Sequence, residues 1–193
     1  TGGMILQRDT AVNVWGSAAP GAAVSVSFAG KTVRGKADPD GRWRVKLPAL
    51  KASKESRKLV ASCGKDKLRV SDVLVGEVWF FSGQSNCGVP LTGDNPHYRE
   101  RYGAMRAQIT RKPCLRFCYQ SDYRTEVDPK RTACLPVVWK TFTPENLLKA
   151  PSFSAMGVYF ALEVHNALGI PVGIVGTYWG GTNIDAWTPR SGY

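Results

Sequence analysis

The chain has 193 residues and a formal net charge of +11, with 26 Lys and Arg against 15 Asp and Glu. Apolar residues make up 43% and charged residues 21%, enough to bury a core and unlike the composition of a disordered chain. No apolar run is long enough to cross a membrane as a helix, and Thr1-Gly2-Gly3-Met4 has none of the regions of a signal peptide.

Charge and pattern both divide the chain near residue 70. Residues 1–70 carry 14 basic and 5 acidic residues, and residues 71–193 carry 12 and 10. The basic side chains of the first part alternate with apolar ones, as in Arg42, Arg44 and Lys46, which suits the wet face of a sheet better than a nucleic-acid groove. No nucleic-acid-binding motif accompanies them.

From residue 11 to 70 the pattern is that of short strands. Val12 and Val14, then Val24, Val26 and Phe28, then Trp43, Val45 and Leu47 recur with a period of two. Pro20-Gly21, Ala29-Gly30-Lys31 and Asp38-Pro39-Asp40-Gly41 supply the turns between them. Residues 1–70 are therefore expected to form a small antiparallel β-sandwich. The polar stretch Lys51–Lys58 reads as a solvated connection.

From Val73 to Phe81 the sequence is almost continuously apolar, as in a strand buried on both faces, and it ends abruptly at Ser82-Gly83-Gln84-Ser85-Asn86. The stretch from 87 to 150 holds Pro90, Pro96, Pro113, Pro129, Pro136 and Pro144, so loops should dominate it. Within it, Cys114–Tyr119 alternates like one further strand, and Val138-Trp139-Lys140 leads on towards a helix. Residues 153–168 read as that helix, with Met156, Tyr159, Phe160, Val164 and Leu168 on its apolar side, stopped by Gly169 and Pro171. A second apolar strand, Ile170–Gly176, runs into Gly180-Gly181-Thr182-Asn183. Residues 71–193 thus follow α/β logic, in which chemistry gathers at the carboxyl ends of strands.

Two such ends carry glycine and hydroxyl groups. Ser85 directly after a buried strand, in a turn loosened by Gly83, has the position a nucleophilic serine needs, although Gly88 comes one place too late for a G-x-S-x-G elbow. The glycines at 180 and 181 allow backbone N–H groups to approach a substrate oxygen closely. Five cysteines (Cys63, Cys87, Cys114, Cys118, Cys134) are an odd number. They form no zinc pattern with His97 and His165, so no metal is expected.

Taken in order, these blocks resemble the sialate O-acetylesterase family of SGNH-type carbohydrate esterases. The resemblance rests on Val73–Trp79 with Ser82–Asn86, on Gly169–Gly173 with Trp179–Trp187, and on Met4–Asp9, Val14-Trp15-Gly16, Pro20-Gly21 and Asp40–Trp43. It implies an N-terminal β-sandwich (1–70), followed by the N-terminal part (71–193) of an SGNH-hydrolase-like three-layer α/β/α domain. It further implies a serine esterase that removes O-acetyl groups from carbohydrates through an acetyl-serine intermediate, with O-acetylated sialic acid as the first expectation for substrate and no cofactor. Ser85 matches the nucleophile, and Gly180 and Gly181 are the oxyanion-hole candidates. Gln84, Asn86, Thr182 and Asn183 are candidates for facing the substrate.

In the family the catalytic His and Asp lie beyond the Gly-Gly-Thr block. A C-terminal segment carrying them is expected as the chain's partner, since His97 and His165 suit the role poorly. Cys87 stands where the family commonly has Met. The family's usual setting implies a secreted or periplasmic protein. From composition and motifs, neither a membrane nor a nucleic acid is expected as a partner. Deacetylation of acetyl-xylan or another plant glycan is the alternative within enzymes. A non-catalytic carbohydrate-binding module is the alternative outside them.

Overall fold

A computed structural model describes residues 1–91, 110, 112–119, 137–149 and 153–192. The chain divides into two compact units, Thr1–Glu77 and Val78–Tyr193. In the first unit, strands β1 (Ile5–Gln7), β2 (Val12–Ser17), β3 (Ala23–Phe28), β4 (Lys31–Lys36), β5 (Arg42–Leu47) and β6 (Ser53–Cys63) precede β7 (Asp66–Gly83), whose last residues belong to the second unit. The strands pair in the order β4-β3-β6-β7, with β1 parallel to β7, while β2 and β5 form a separate antiparallel ribbon.

The turns behave as their residues dictate. Ala29 and Gly30 take φ of 48° and 73°, the two left-handed residues of a tight hairpin, and join β3 to β4. At Asp38–Gly41 the Gly41 N–H donates to the Asp38 carbonyl (2.9 Å), and Asp38 Oδ1 accepts from the Arg42 N–H (2.8 Å). The alternation also places the core. Val24, Val26 and Phe28 from β3 share one buried cluster with Trp43, Val45 and Leu47 from β5 and with Val73 and Val75 from β7.

Lys51–Lys58 is not a connection throughout, because residues 53–58 open β6. Pairing with β7 slips between Ser53 and Leu59, and the Ser56 hydroxyl reaches Asp72 Oδ1 (2.8 Å). An irregular and mostly exposed strand start of this kind needs no apolar alternation, which is why its sequence reads as loop.

In the second unit the strand order is β7-β10-β8-β9, with β8 (Lys112–Tyr119), β9 (Trp139–Phe142) and β10 (Val172–Tyr178). β8 and β10 run parallel, with Leu115 opposite Val172, and β9 is antiparallel to β8. Helix α1 (Pro144–Lys149) follows β9, and α2 (Ala155–Leu168) packs on β10 and β8. The architecture is mixed α/β. Double burial holds for Val73–Gly76 but not for the end of β7, where Trp79 and Phe80 are 43% and 66% exposed. There β7 has β10 as its neighbour on one side only among the described strands.

Helix α2 has the expected limits. Ser154 Oγ caps its first turn by accepting from the Gly157 N–H (3.1 Å), and Gly169 ends it in the left-handed region. Its buried face differs from the expected one. Ala155, Gly157, Val158, Ala161 and Leu162 are buried, while Met156, Tyr159 and Leu168 are exposed. The small residues decide this, because a Cβ on Gly157 would stand 3.6 Å from Ile174 and 3.7 Å from Phe81, so the helix lies close upon the sheet. Phe160, half-buried at its flank, meets Trp79 edge-on (4.9 Å between centroids) and Phe81 (5.5 Å).

Candidate active site

The site begins at the end of β7. Gly83 takes φ of 147°, a value that L side chains rarely adopt, and a Cβ there would stand 2.7 Å from Cys87 Sγ. The chain then closes into a 3₁₀ turn over Ser85–Gly88, tied by the Cys87 N–H to the Gln84 carbonyl (2.9 Å) and by Cys87 Sγ to the Ser82 carbonyl (3.4 Å). Gly88, out of place for a nucleophile elbow, has its own reason to be glycine: a Cβ would stand 2.8 Å from the Tyr178 ring. Beyond it the Val89 carbonyl accepts from the Ala155 N–H (2.8 Å), and Pro90 bridges to Ser154, so the turn is pinned to the start of α2.

The second predicted loop arrives from β10. The Trp179 N–H donates to the Gly83 carbonyl (2.9 Å), which sets the ends of β7 and β10 side by side. As a result a Cβ on Gly180 would lie 3.4 Å from Ser85 Cβ. Two loops separated by nearly a hundred residues in sequence are thus brought into van der Waals range. Gly181 adopts φ of 78°, with nothing within 4 Å of its Cβ position. Among the described residues, neither glycine N–H has a hydrogen-bond acceptor.

The remaining candidates divide by how they are engaged. Thr182 is taken up in the loop: its hydroxyl donates to the Trp179 carbonyl and accepts from Trp187 Nε1, both at 2.8 Å. Asn183 is exposed and opens the 3₁₀ turn Ile184–Trp187 without a side-chain cap, and Asn86 is exposed beside Ser85. Gln84 Oε1 accepts from both the Ser85 hydroxyl (3.0 Å) and the Ser85 N–H (3.3 Å). An amide oxygen can hold a hydroxyl proton but cannot remove it, so this contact orients the serine without activating it.

His165 is not placed to act on Ser85. Ala155 is the end of α2 that touches the Ser85 turn, and His165 lies ten residues further along, about 15 Å at helical rise. Its Nδ1 is also within 2.6 Å of the Ile170 carbonyl. His97 and Cys134 lie outside the described residues. Cys118 is a core residue, and burial pushes its thiol up to about 12, which keeps it protonated and inert. Among the described residues no group of three His, Cys, Asp or Glu is placed to hold a metal ion.

The sequence reading missed Cys87 as a packing partner of Gly83, and Gly88 as the glycine that lets Tyr178 approach. The one available signal was the displaced glycine at 88.

No protein-family model matches the chain. Over 96% of its length it is 30% identical to human sialate O-acetylesterase, and over 97% it is 27% identical to the mouse protein. A solved carbohydrate acetylesterase from Xanthomonas citri superposes on 98% of the chain with a TM-score of 0.81 and 36% identity. The chain spans 37% of the length of the human relative, 36% of the mouse one and 41% of the Xanthomonas chain. The resemblance to sialate O-acetylesterases therefore runs along almost the whole chain.

Proposed function

We propose that this relative of the sialate O-acetylesterases contributes the nucleophile and part of the oxyanion hole of a serine esterase that removes O-acetyl groups from carbohydrates. The observation that carries this reading is the approach of Gly180 to Ser85, which brings a glycine loop, whose two glycine N–H groups have no acceptor among the described residues, up to an exposed serine at the carboxyl ends of adjoining strands. Ser85 Oγ attacks the acetyl carbonyl, and the negative oxygen that forms is held by N–H groups of the Gly180–Gly181 loop and of Ser85 itself. The Ser85 N–H must first leave Gln84 Oε1. The sugar alkoxide departs with a proton, and water then releases acetate from the acetyl-serine.

The attacking proton needs a base. Gln84 cannot serve and His165 is too far away, so in this reading the catalytic His and its Asp belong to a C-terminal segment outside the chain, within the share of the relatives' length that it does not span. Residues 71–193 then form the first part of an SGNH-like three-layer α/β/α domain, preceded by a β-sandwich, in a secreted or periplasmic protein. The packing of α2 on parallel β8 and β10 supports that layering on one face. Asn86 and Asn183, both exposed beside the glycine loop, are proposed to meet sugar hydroxyls. O-acetylated sialic acid is the first substrate to test, since the relatives are named for it, and acetyl-xylan is the second.

Acetate release from both substrates, measured on the complete protein as its gene encodes it, tests the proposal. Ser85→Ala is expected to lower turnover by about 10³-fold or more, the scale seen when a nucleophile is removed. Turnover within threefold of the parent would remove Ser85 from the chemistry and favour a binding module.

A further inference from the structure

The β2–β5 ribbon of the first unit has a wet face that carries none of the residues assigned to the proposed esterase chemistry. Its register sets Ser17 opposite Arg42, Trp15 opposite Arg44 and Asn13 opposite Lys46, and directly opposed residues project from the same face. The intervening residues Trp43, Val45 and Leu47 are buried beneath it. The upper side is therefore a grid two strands wide. Three cations stand along one strand about 7 Å apart, and an indole, an amide and a hydroxyl line the other. All six side chains are exposed, Trp15 by 58%.

Among the described residues nothing on the grid offsets its charge. Among the described residues Arg42, Arg44 and Lys46 form no ion pair, and the unit as a whole has nine more basic than acidic residues up to position 70. The neighbouring carboxylates in sequence are Asp38 and Asp40 in the preceding turn, and Asp38 is engaged with the Arg42 backbone. A solvated face ordinarily mixes both signs. This one presents one sign with an aromatic plane at its centre.

We propose that this face binds an anionic carbohydrate chain. Arg42 and Arg44 offer forked donors for sugar carboxylates, with Lys46 as a further point charge. Trp15 offers an apolar plane for the C–H face of a sugar ring, and Asn13 and Ser17 offer partners for its hydroxyls. A nucleic acid would be drawn by the same charge, but single strands are held by several aromatic platforms and the grid has one indole; a duplex, whose major groove admits a two-stranded ribbon, is the competing polyanion in the test. The site is independent of Ser85.

Calorimetric titration of the protein with polygalacturonate at about 50 mM salt tests this, with dextran as the neutral polymer and a short DNA duplex as the competing polyanion. Binding of polygalacturonate but not dextran is expected, with affinity falling about tenfold in Trp15→Ala and in Arg44→Gln. Arg34→Gln removes the same charge from β4, which pairs in the other sheet, and is expected to change affinity less than twofold, as is Ser85→Ala. Thermal unfolding of each variant verifies its fold, and Arg44→Gln with Arg34→Gln decides the matter should Trp15→Ala fail to fold. Absence of polygalacturonate binding, equal effects of Arg34→Gln and Arg44→Gln, or tighter binding of the duplex through the same residues would overturn the proposal.

Discussion

Gly180→Val is expected to reduce the reaction of Ser85 with acetyl esters by about 100-fold in the complete protein while leaving its unfolding temperature nearly unchanged. Gly180 does not have a left-handed backbone, so valine meets no left-handed strain there, and the residue is exposed. What valine meets is Ser85. The Cβ position is already 3.4 Å from Ser85 Cβ, and two further methyl groups would stand in the space an acetyl group must enter. Gly180→Ala, at ordinary van der Waals contact, should cost less than tenfold. Gly181→Val probes a different effect: its Cβ has open space, but φ of 78° strains any L side chain, so stability should fall along with rate. A rate for Gly180→Val within threefold of the parent would mean that substrate does not pass between the two loops.

The second large effect is expected at Gly83. Alanine there faces two separate obstacles, a φ of 147° and a Cβ placed 2.7 Å from Cys87 Sγ. Backbone strain of this kind costs about 1–3 kcal/mol, which in a chain of this size lowers the unfolding midpoint by several degrees. The displaced turn also carries Ser85 away from Gly180, so the rate should fall about tenfold or more, as small misplacements do. Adding Cys87→Ala removes the steric obstacle and leaves the strain. The double variant should therefore recover part of the stability lost by Gly83→Ala. Full recovery would show that the backbone at Gly83 is not strained. No recovery would show that the contact with Cys87 is immaterial. Differential calorimetry of the three proteins distinguishes these results.

How far the sequence leads differs from element to element. Turn chemistry was legible because few residues tolerate what it demands: Ala29-Gly30 and Asp38–Gly41 form their turns where expected. Alternation located β3 and β5 because each has one wet face and one dry one. The buried face of α2 was not legible, since large apolar side chains draw the eye and small ones do the packing: Gly157 and Ala161 lie against the sheet, while Met156 and Tyr159 face outward. The exposed end of β7 also escaped, because a run such as Val78-Trp79-Phe80-Phe81 says nothing about how many neighbours the strand has.

At the candidate site the two loops were readable as glycine-bearing strand ends, but their contact was not. That contact depends on the Trp179 N–H reaching the Gly83 carbonyl, a backbone pairing that no side-chain pattern encodes. Thr182 shows the converse. It reads as a substrate-facing hydroxyl, and the structure adds a role in the loop itself that the pattern does not announce: it donates to the Trp179 carbonyl and accepts from Trp187 Nε1.

Everything proposed for the site depends on Ser85 being a nucleophile. Treating the complete protein with a fluorophosphonate and mapping the adduct by peptide mass tests it most directly, because the reagent bonds covalently only to an activated hydroxyl. One adduct is expected, on the peptide containing Ser85, absent in Ser85→Ala and slowed in Gly180→Val. An adduct on another serine, or acetate release by a protein whose Ser85 stays unlabelled, would contradict it.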